Sequence, residues 1–191
     1  MRGSNTQGLG FNDFNNLGPN GKKATRVCKC GMAGEPGHTC RKGPRCASDY
    51  QQRISGPLLD RMDIQIELPA VKISDLTLPA SKESSADVAV RVAAARLRQR
   101  ERFAKLGVGH LRLNAEADGT LLEEIVQPDQ AGLKLMRDAA DAMGLSARGY
   151  HRVLRVARTL ADLDGRDQVA RLHIAEALSY RQKLAAFQAA A

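Results

Sequence analysis

The part of the chain beyond residue 86 is dominated by apolar residues that recur every three or four positions. This spacing places them on one face of an α-helix, because a helix has about 3.6 residues per turn. Residues that end or break helices interrupt the pattern at Gly107, Gly109, Pro128, Gly144 and Gly165. The pattern predicts helices at residues 87–105, 121–125, 130–143, 147–162 and 169–182. Helices joined by such short connections pack most simply as a bundle.

The stretch before these helices has a different pattern. Isoleucine and leucine alternate with polar residues over residues 64–68, which is typical of a half-buried strand. A helix-like segment at 50–60 precedes it, and a proline-containing polar linker at 69–85 follows. Residues 1–27 lack the periodic apolar pattern of the later segments, so we expect them to be a disordered leader. The predicted divisions are residues 1–27, 28–80 and 81–191.

The formal net charge is +8, and 43% of the residues are hydrophobic. That content is sufficient for a core, and the positive charge favours contact with phosphates of a nucleotide, a nucleic acid or an anionic surface. The alternative is a basic face that is simply solvated. Neither a membrane span nor a secretory signal is apparent. We therefore expect a cytoplasmic protein with no membrane partner.

Four cysteines lie close together in a loop rich in glycine and proline. They are Cys28, Cys30, Cys40 and Cys46. A loop this polar cannot pack four thiols in a core, and tetrahedral zinc would hold its shape. Zn²⁺ is therefore a candidate structural metal, with free thiols as the alternative.

The segment 147–162 divides into two faces when its residues are projected on a helix that begins after Ser146. Apolar residues fall on one face, at Tyr150, Val153, Leu154, Ala157, Leu160 and Ala161. Arg148, Arg152 and Arg155 fall on the opposite one. The apolar face is expected to be buried, and the arginine face either binds an anion or is an exposed stripe of an amphipathic helix.

Three landmarks occur in the order found in one known family. The segment 53–63 reads R-I-S-G-P-L-L-D-R-M-D, the cysteine loop lies just upstream, and Ser146, Ala147 and Arg148 lie downstream. Over residues 28–181 the chain resembles the Mg-chelatase-like AAA+ ATPases of the YifB/ComM family. The resemblance implies a mainly α fold: a remnant of the AAA+ α/β core, with one or two strands, followed by an all-helical AAA+ lid bundle.

The resemblance also implies roles for individual residues. Arg61 matches the arginine finger, which acts on a neighbouring subunit's ATP, and Asp60 and Asp63 would orient its guanidinium. Arg148 matches sensor 2, which contacts the phosphates in its own subunit, and Arg152 is a second candidate nucleotide-binding residue beside it. The alternative is that Asp60 and Arg61 form a surface ion pair at the start of a strand.

The nucleotide-binding motifs of the family are missing. Residues 18–25 read G-P-N-G-K-K-A-T, but a phosphate-binding loop needs G-x-x-x-x-G-K-S/T, and Asn16 and Lys23 break that pattern. The acidic Walker B strand is absent, and Arg26 and Val27 stand where the family has Asn-Pro. We therefore expect this chain to be inactive as an ATPase by itself.

The resemblance predicts the carboxy-terminal part of an ATPase that uses ATP with Mg²⁺ in a homo-oligomeric ring, expected to be a hexamer. It suggests work on DNA, such as helicase or branch-migration activity in transformation or recombination. Two alternatives remain at this point: a non-enzymatic nucleic-acid-binding module and a purely structural assembly module.

Overall fold

A computed structural model of the protein describes residues 46, 55–66, 73–77, 79 and 82–181. Cys46 belongs to a compact unit, Met1–Arg53, and every other described residue belongs to a second unit, Ile54–Ala191. The predicted leader lies outside the described residues. The divisions proposed from the sequence stay predictions.

The described part of the second unit consists mainly of helices. They are α1 (Gly56–Asp60), α2 (Ser85–Lys105), α3 (Gly119–Val126), α4 (Gln130–Met143), α5 (Ala147–Leu163) and α6 (Arg171–Ser179), with 3₁₀ turns at Ile73–Thr77 and Asn114–Glu116. The mainly α fold with a helical bundle is confirmed. The bounds of α4 coincide with the prediction, and α6 is the helix that differs most, ending before residue 182.

Local capping explains why the helices begin and end where they do. Ser84 and Asp87 form a reciprocal capping box at the start of α2. The Ser146 hydroxyl accepts a hydrogen bond from the Gly149 amide at the start of α5. Gly144 ends α4 with φ +58°, a left-handed conformation that glycine adopts without strain.

Helix α5 lies at the centre of the bundle. It packs against α2, α3 and α6, while α4 packs against α6. The apolar side chains with no exposure at all form the centre of the core: Phe103, Ala117, Leu122, Met136, Val153, Ala157, Ala161, Val169, Ile174 and Ala177. The predicted apolar face of α5 is therefore buried, with Tyr150 and Leu160 partly buried at its edge.

The strand predicted at 64–68 is not present in its described part. Residues 64–66 have no regular secondary structure, and Ile64 and Ile66 are 50% and 67% exposed. A strand needs a ladder of partners. Here the Gln65 amide makes a single backbone bond to the Tyr180 carbonyl oxygen, at 3.1 Å. The alternation of apolar and polar residues did not produce a strand here, because the described residues supply no neighbouring strand.

Among the helices that the structure describes, none combines the length and the apolar character needed to cross a membrane.

Candidate functional site

The arginine face of α5 lines an open pocket of about 290 Å³. Its lining residues are Asp118, Arg148, His151, Arg152 and Arg155. Three arginines and one aspartate give this pocket an excess of positive charge. Arg148 also lies in the first turn of α5, where the helix dipole favours a bound anion.

The three arginines of the pocket differ in how tightly they are held. Arg155 donates to the Ala117 carbonyl oxygen at 2.9 Å and pairs with Asp118. Arg152 pairs with Asp63 at 2.5 Å, and its Nε is buried without a hydrogen-bond partner. Arg148 is exposed and makes no hydrogen bond or ion pair within the described residues. The pocket therefore retains donors for an added anion, and its residues fit a phosphate group.

The segment of residues 60–63, which we call the Arg61 segment, is bound to residues at the start of α5 and just after α6. One Asp60 carboxylate oxygen accepts from the Ser146 hydroxyl at 2.9 Å. The other accepts from the Arg181 Nη2 at 3.0 Å. The Asp63 carboxylate accepts from Arg152. Both aspartates of the segment are thus bound to the helices of the bundle.

Arg181, just beyond α6, holds the backbone on both sides of residue 61. Its Nη1 donates to the Met62 carbonyl oxygen at 3.0 Å, and its Nη2 lies 3.4 Å from the Asp60 carbonyl oxygen. The residue is 2% exposed. Burial lowers the pKa of the Arg181 guanidinium, while the nearby carboxylates of Asp60 and Asp63 oppose that shift. This residue had been given no role from the sequence.

Arg61 itself is exposed in the turn that follows α1. Its Nη1 makes a long hydrogen bond of 3.5 Å to the Pro57 carbonyl oxygen, and it has no acidic partner within the described residues. Among the described residues, neither Asp60 nor Asp63 therefore contacts the Arg61 guanidinium to orient it. Both carboxylates are engaged by other arginines, and Arg61 lies in a turn rather than at the start of a strand.

The Arg61 segment approaches α5 at Gly149. A Cβ atom placed there would lie 3.1 Å from an Asp60 carboxylate oxygen and 3.3 Å from the Arg181 Nη2. The absence of a side chain at this position permits both the Ser146 cap and the close approach of Asp60.

A second set of arginines, unforeseen from the sequence, lies inside the bundle. The Asp162 carboxylate accepts from Arg102, Arg158 and Asn114. Arg158 also donates to the carbonyl oxygens of Arg166 and Asp167, each at 2.5 Å, and thereby fixes the turn after α5. One signal was available, because Arg158 and Asp162 are four residues apart on a helix and so meet as a pair.

The structure bears on one of the four predicted cysteine ligands and on one histidine. Cys28, Cys30 and Cys40 lie outside the described residues, and Cys46 is a buried free thiol. No group of three potential metal ligands occurs among the described residues, so the zinc site stays a prediction. His173 caps α6 by accepting from the Ala170 amide at 2.9 Å.

Comparison with known proteins identifies the family. Residues 82–181 match the model described as "Magnesium chelatase, subunit ChlI C-terminal", and residues 23–76 match "Magnesium chelatase, subunit ChlI". The chain belongs to the magnesium chelatase ChlI family. The resemblance to its YifB/ComM members is confirmed. The all-helical part of this ChlI-family chain corresponds to the AAA+ lid.

Two relatives show the similarity to YifB and ComM directly. YifB of Salmonella typhimurium is 39% identical over 150 residues, which is 76% of this chain and 28% of YifB. Competence protein ComM of Haemophilus influenzae is 37% identical over 142 residues, or 74% of this chain and 26% of ComM. The chain thus spans less than a third of the length of these two relatives.

Proposed function

We propose that this chain is the carboxy-terminal part of a Mg-chelatase-like AAA+ ATPase and supplies two arginines to different ATP sites. Arg148, with Arg152 beside it, contacts the phosphates bound in its own subunit, and Arg61 acts on the site of a neighbour. The observation that carries the proposal is that Arg148 and Arg61 are exposed cations without acidic partners in the described part of the chain. The segment that carries Arg61 and the start of α5, which carries Arg148, are joined by a hydrogen bond from Ser146 to Asp60 and an ion pair between Arg152 and Asp63.

The chemistry expected of these residues is electrostatic. Phosphoryl transfer requires positioning and neutralisation of charge on the transferring oxygens, and bound Mg²⁺ with ATP supplies the reacting group. Arg148 and Arg152 would hold and orient phosphate oxygens through charge-assisted hydrogen bonds. Arg61 would stabilise the negative charge that develops at the neighbouring site. Arginine suits both tasks because its planar guanidinium stays charged and presents several donors.

This division of work needs an assembly of subunits. A ring, which we expect to be a hexamer, would bring Arg61 of one subunit to the nucleotide of the next. Since the chain lacks the Walker A and Walker B patterns, it is expected to act in such a ring without hydrolysing ATP alone. A zinc-bound cysteine loop is part of the same proposal, and measuring zinc by mass spectrometry of the intact chain would test it.

The experiment that tests the Arg61 role mixes this chain with a full-length relative that has an intact nucleotide site but no finger arginine. Co-assembly is first verified by light scattering. The ATPase rate is expected to rise by about 10³-fold or more with the wild-type chain and not with Arg61→Ala. Arg137→Ala, which removes another exposed arginine from α4, is the matched control and should preserve the rise. No rise in a mixture that co-assembles would rule out the finger role.

Contact with DNA is the second part of the proposal, supported by the exposed face of α2. Arg96 and Arg100 lie one turn apart on an open surface that also carries Leu97. Arginines so placed can neutralise backbone phosphates, and such binding weakens steeply with salt. Replacing both by glutamine is expected to weaken binding to a DNA duplex and to reduce the salt dependence by about two counterions. Unchanged binding would remove α2 from the DNA-binding surface.

A further inference from the structure

We propose that Arg181 is the positioning residue for Arg61: its buried guanidinium fixes the backbone around residue 61 to the end of α6, which packs against α5, the helix that carries Arg148. This inference rests on the proposed function, because it assigns a role at the Arg61 side of the ATP site. It also assigns that role to a residue outside the family landmarks discussed above.

The geometry around Arg181 is specific to the Arg61 segment. One guanidinium reaches the carbonyl oxygens of the residues before and after Arg61, at 3.4 and 3.0 Å, and the Asp60 carboxylate at 3.0 Å. Two carbonyl oxygens that flank one residue define where its Cα lies and which way its side chain leaves the backbone. Arg181 therefore restricts Arg61 without contacting it.

The same carboxylate links Arg181 to α5. Asp60 accepts from both Arg181 and the Ser146 hydroxyl, and that hydroxyl accepts from the Gly149 amide at the first turn of α5. Arg148 lies in the same turn. Hydrogen bonds thus run from the backbone beside Arg61 to the turn that holds Arg148, so a displacement of α5 on phosphate binding would carry Arg61 with it.

The burial of Arg181 favours its contacts with the Arg61 segment over contacts with solvent. Arg181 is 2% exposed, and burying a guanidinium is costly unless its donors are paired. Its Nη1 and Nη2 are paired with the Arg61 segment, while its Nε is buried without a partner in the described part of the chain. Its carbonyl partners in the Arg61 segment are therefore strongly preferred over solvent. The second link, between Arg152 and Asp63, is more open, since the Asp63 side chain is 45% exposed. Arg181 is the tighter of the two attachments.

The test uses Arg181→Lys in the mixed ATPase assay described above. Lysine keeps the charge but cannot place two donors on both carbonyl oxygens. Arg61 would then be misplaced while nucleotide binding is unaffected. The expected result is a fall in kcat of about 10- to 100-fold with KM for ATP unchanged.

Arg158→Lys is the matched control, because Arg158 is equally buried but binds carbonyl oxygens in the turn after α5. It should lower thermal stability without lowering kcat. If Arg181→Lys supports the wild-type rate while Arg61→Ala does not, the positioning role is overturned and the Arg61 role survives. Equal losses of kcat in both lysine variants would also overturn it, since they would indicate a general structural effect. If Arg61→Ala has no effect, both proposals fail.

A second measurement on the intact chain needs no ATPase. The chain contains no tryptophan, so Ile64→Trp places a single reporter beside the Arg61 segment. Adding Arg181→Lys is expected to lower the fluorescence anisotropy of this tryptophan, whereas adding Arg158→Lys should leave it unchanged. Unchanged anisotropy with Arg181→Lys would overturn the inference.

Discussion

Arg158 and Arg181 are similar in burial and chemistry but differ in what they connect. Both are almost completely buried, both bind backbone carbonyl oxygens and an aspartate, and burial lowers the guanidinium pKa of both. The aspartate of Arg158 is Asp162, whose side chain has no exposure, whereas Asp60, the partner of Arg181, is 29% exposed. Arg158 joins residues within the bundle. Arg181 joins the bundle to a segment with an exposed cation, which is the arrangement expected of a positioning device.

The largest effect predicted from this comparison is the loss of Arg158. Arg158→Ala leaves the buried Asp162 carboxylate with one cation fewer and removes the donors to the carbonyl oxygens of Arg166 and Asp167. The free energy of unfolding should fall by about 3–5 kcal/mol. Urea denaturation followed by circular dichroism measures this change. Arg137→Ala, at an exposed position, should stay within about 0.5 kcal/mol of wild type, and an equal loss there would contradict the account.

A smaller loss of stability is expected for Arg181→Ala. Asp60 is partly exposed and keeps its bond to the Ser146 hydroxyl, so solvent can compensate for much of the missing guanidinium. The expected change is about 1–3 kcal/mol, measured by the same denaturation. A loss as large as that of Arg158→Ala would mean that the two arginines do not differ in the way proposed.

Gly149→Ala tests the close approach of the Arg61 segment to α5. Alanine in place of glycine within a helix normally stabilises by about 1 kcal/mol. Here the new Cβ would meet the Asp60 carboxylate oxygen at 3.1 Å, so no gain is expected. In an Asp60→Ala background the substitution should recover the usual gain, as a double-mutant cycle would reveal. Equal effects in both backgrounds would exclude a close contact.

The smallest effect is expected at the start of α2, away from both arginines. Hydrogen bonds from the hydroxyl and amide of Ser84 lower the pKa of the Asp87 carboxyl below its ordinary value of 3.8. Because the folded form binds the proton less readily than the unfolded form, this contribution is present above pH 3.8 and is lost as the pH falls through the lowered pKa. Thermal melts should therefore separate wild type from Asp87→Asn at pH 7 and bring them together near pH 2. A constant separation would contradict the capping box.

The helices could be predicted because their signals are local. Ser84, Ser146 and Gly144 define helix ends through contacts within a few residues, and the apolar spacing of α5 identifies its buried face. These features do not depend on distant parts of the chain.

The contacts of the site could not be predicted in the same way. The bond between Arg181 and Asp60 joins residues 121 positions apart, and nothing in either neighbourhood specifies the partner. The predicted strand at 64–68 was wrong in its described part for a related reason, since alternation identifies a strand only where another strand pairs with it. Arg61 and Arg148 were selected by family resemblance, and their catalytic roles stay predictions.

The most direct test of the central claim is the affinity of the intact chain for inorganic triphosphate, which needs no Walker A loop, measured by calorimetry at low ionic strength with wild type, Arg148→Gln and Arg137→Gln. The account predicts that Arg148→Gln weakens binding about tenfold or more, as expected for the loss of a charge-assisted hydrogen bond, while Arg137→Gln binds like wild type. Equal affinities for all three would contradict the assignment of the α5 pocket to nucleotide phosphates.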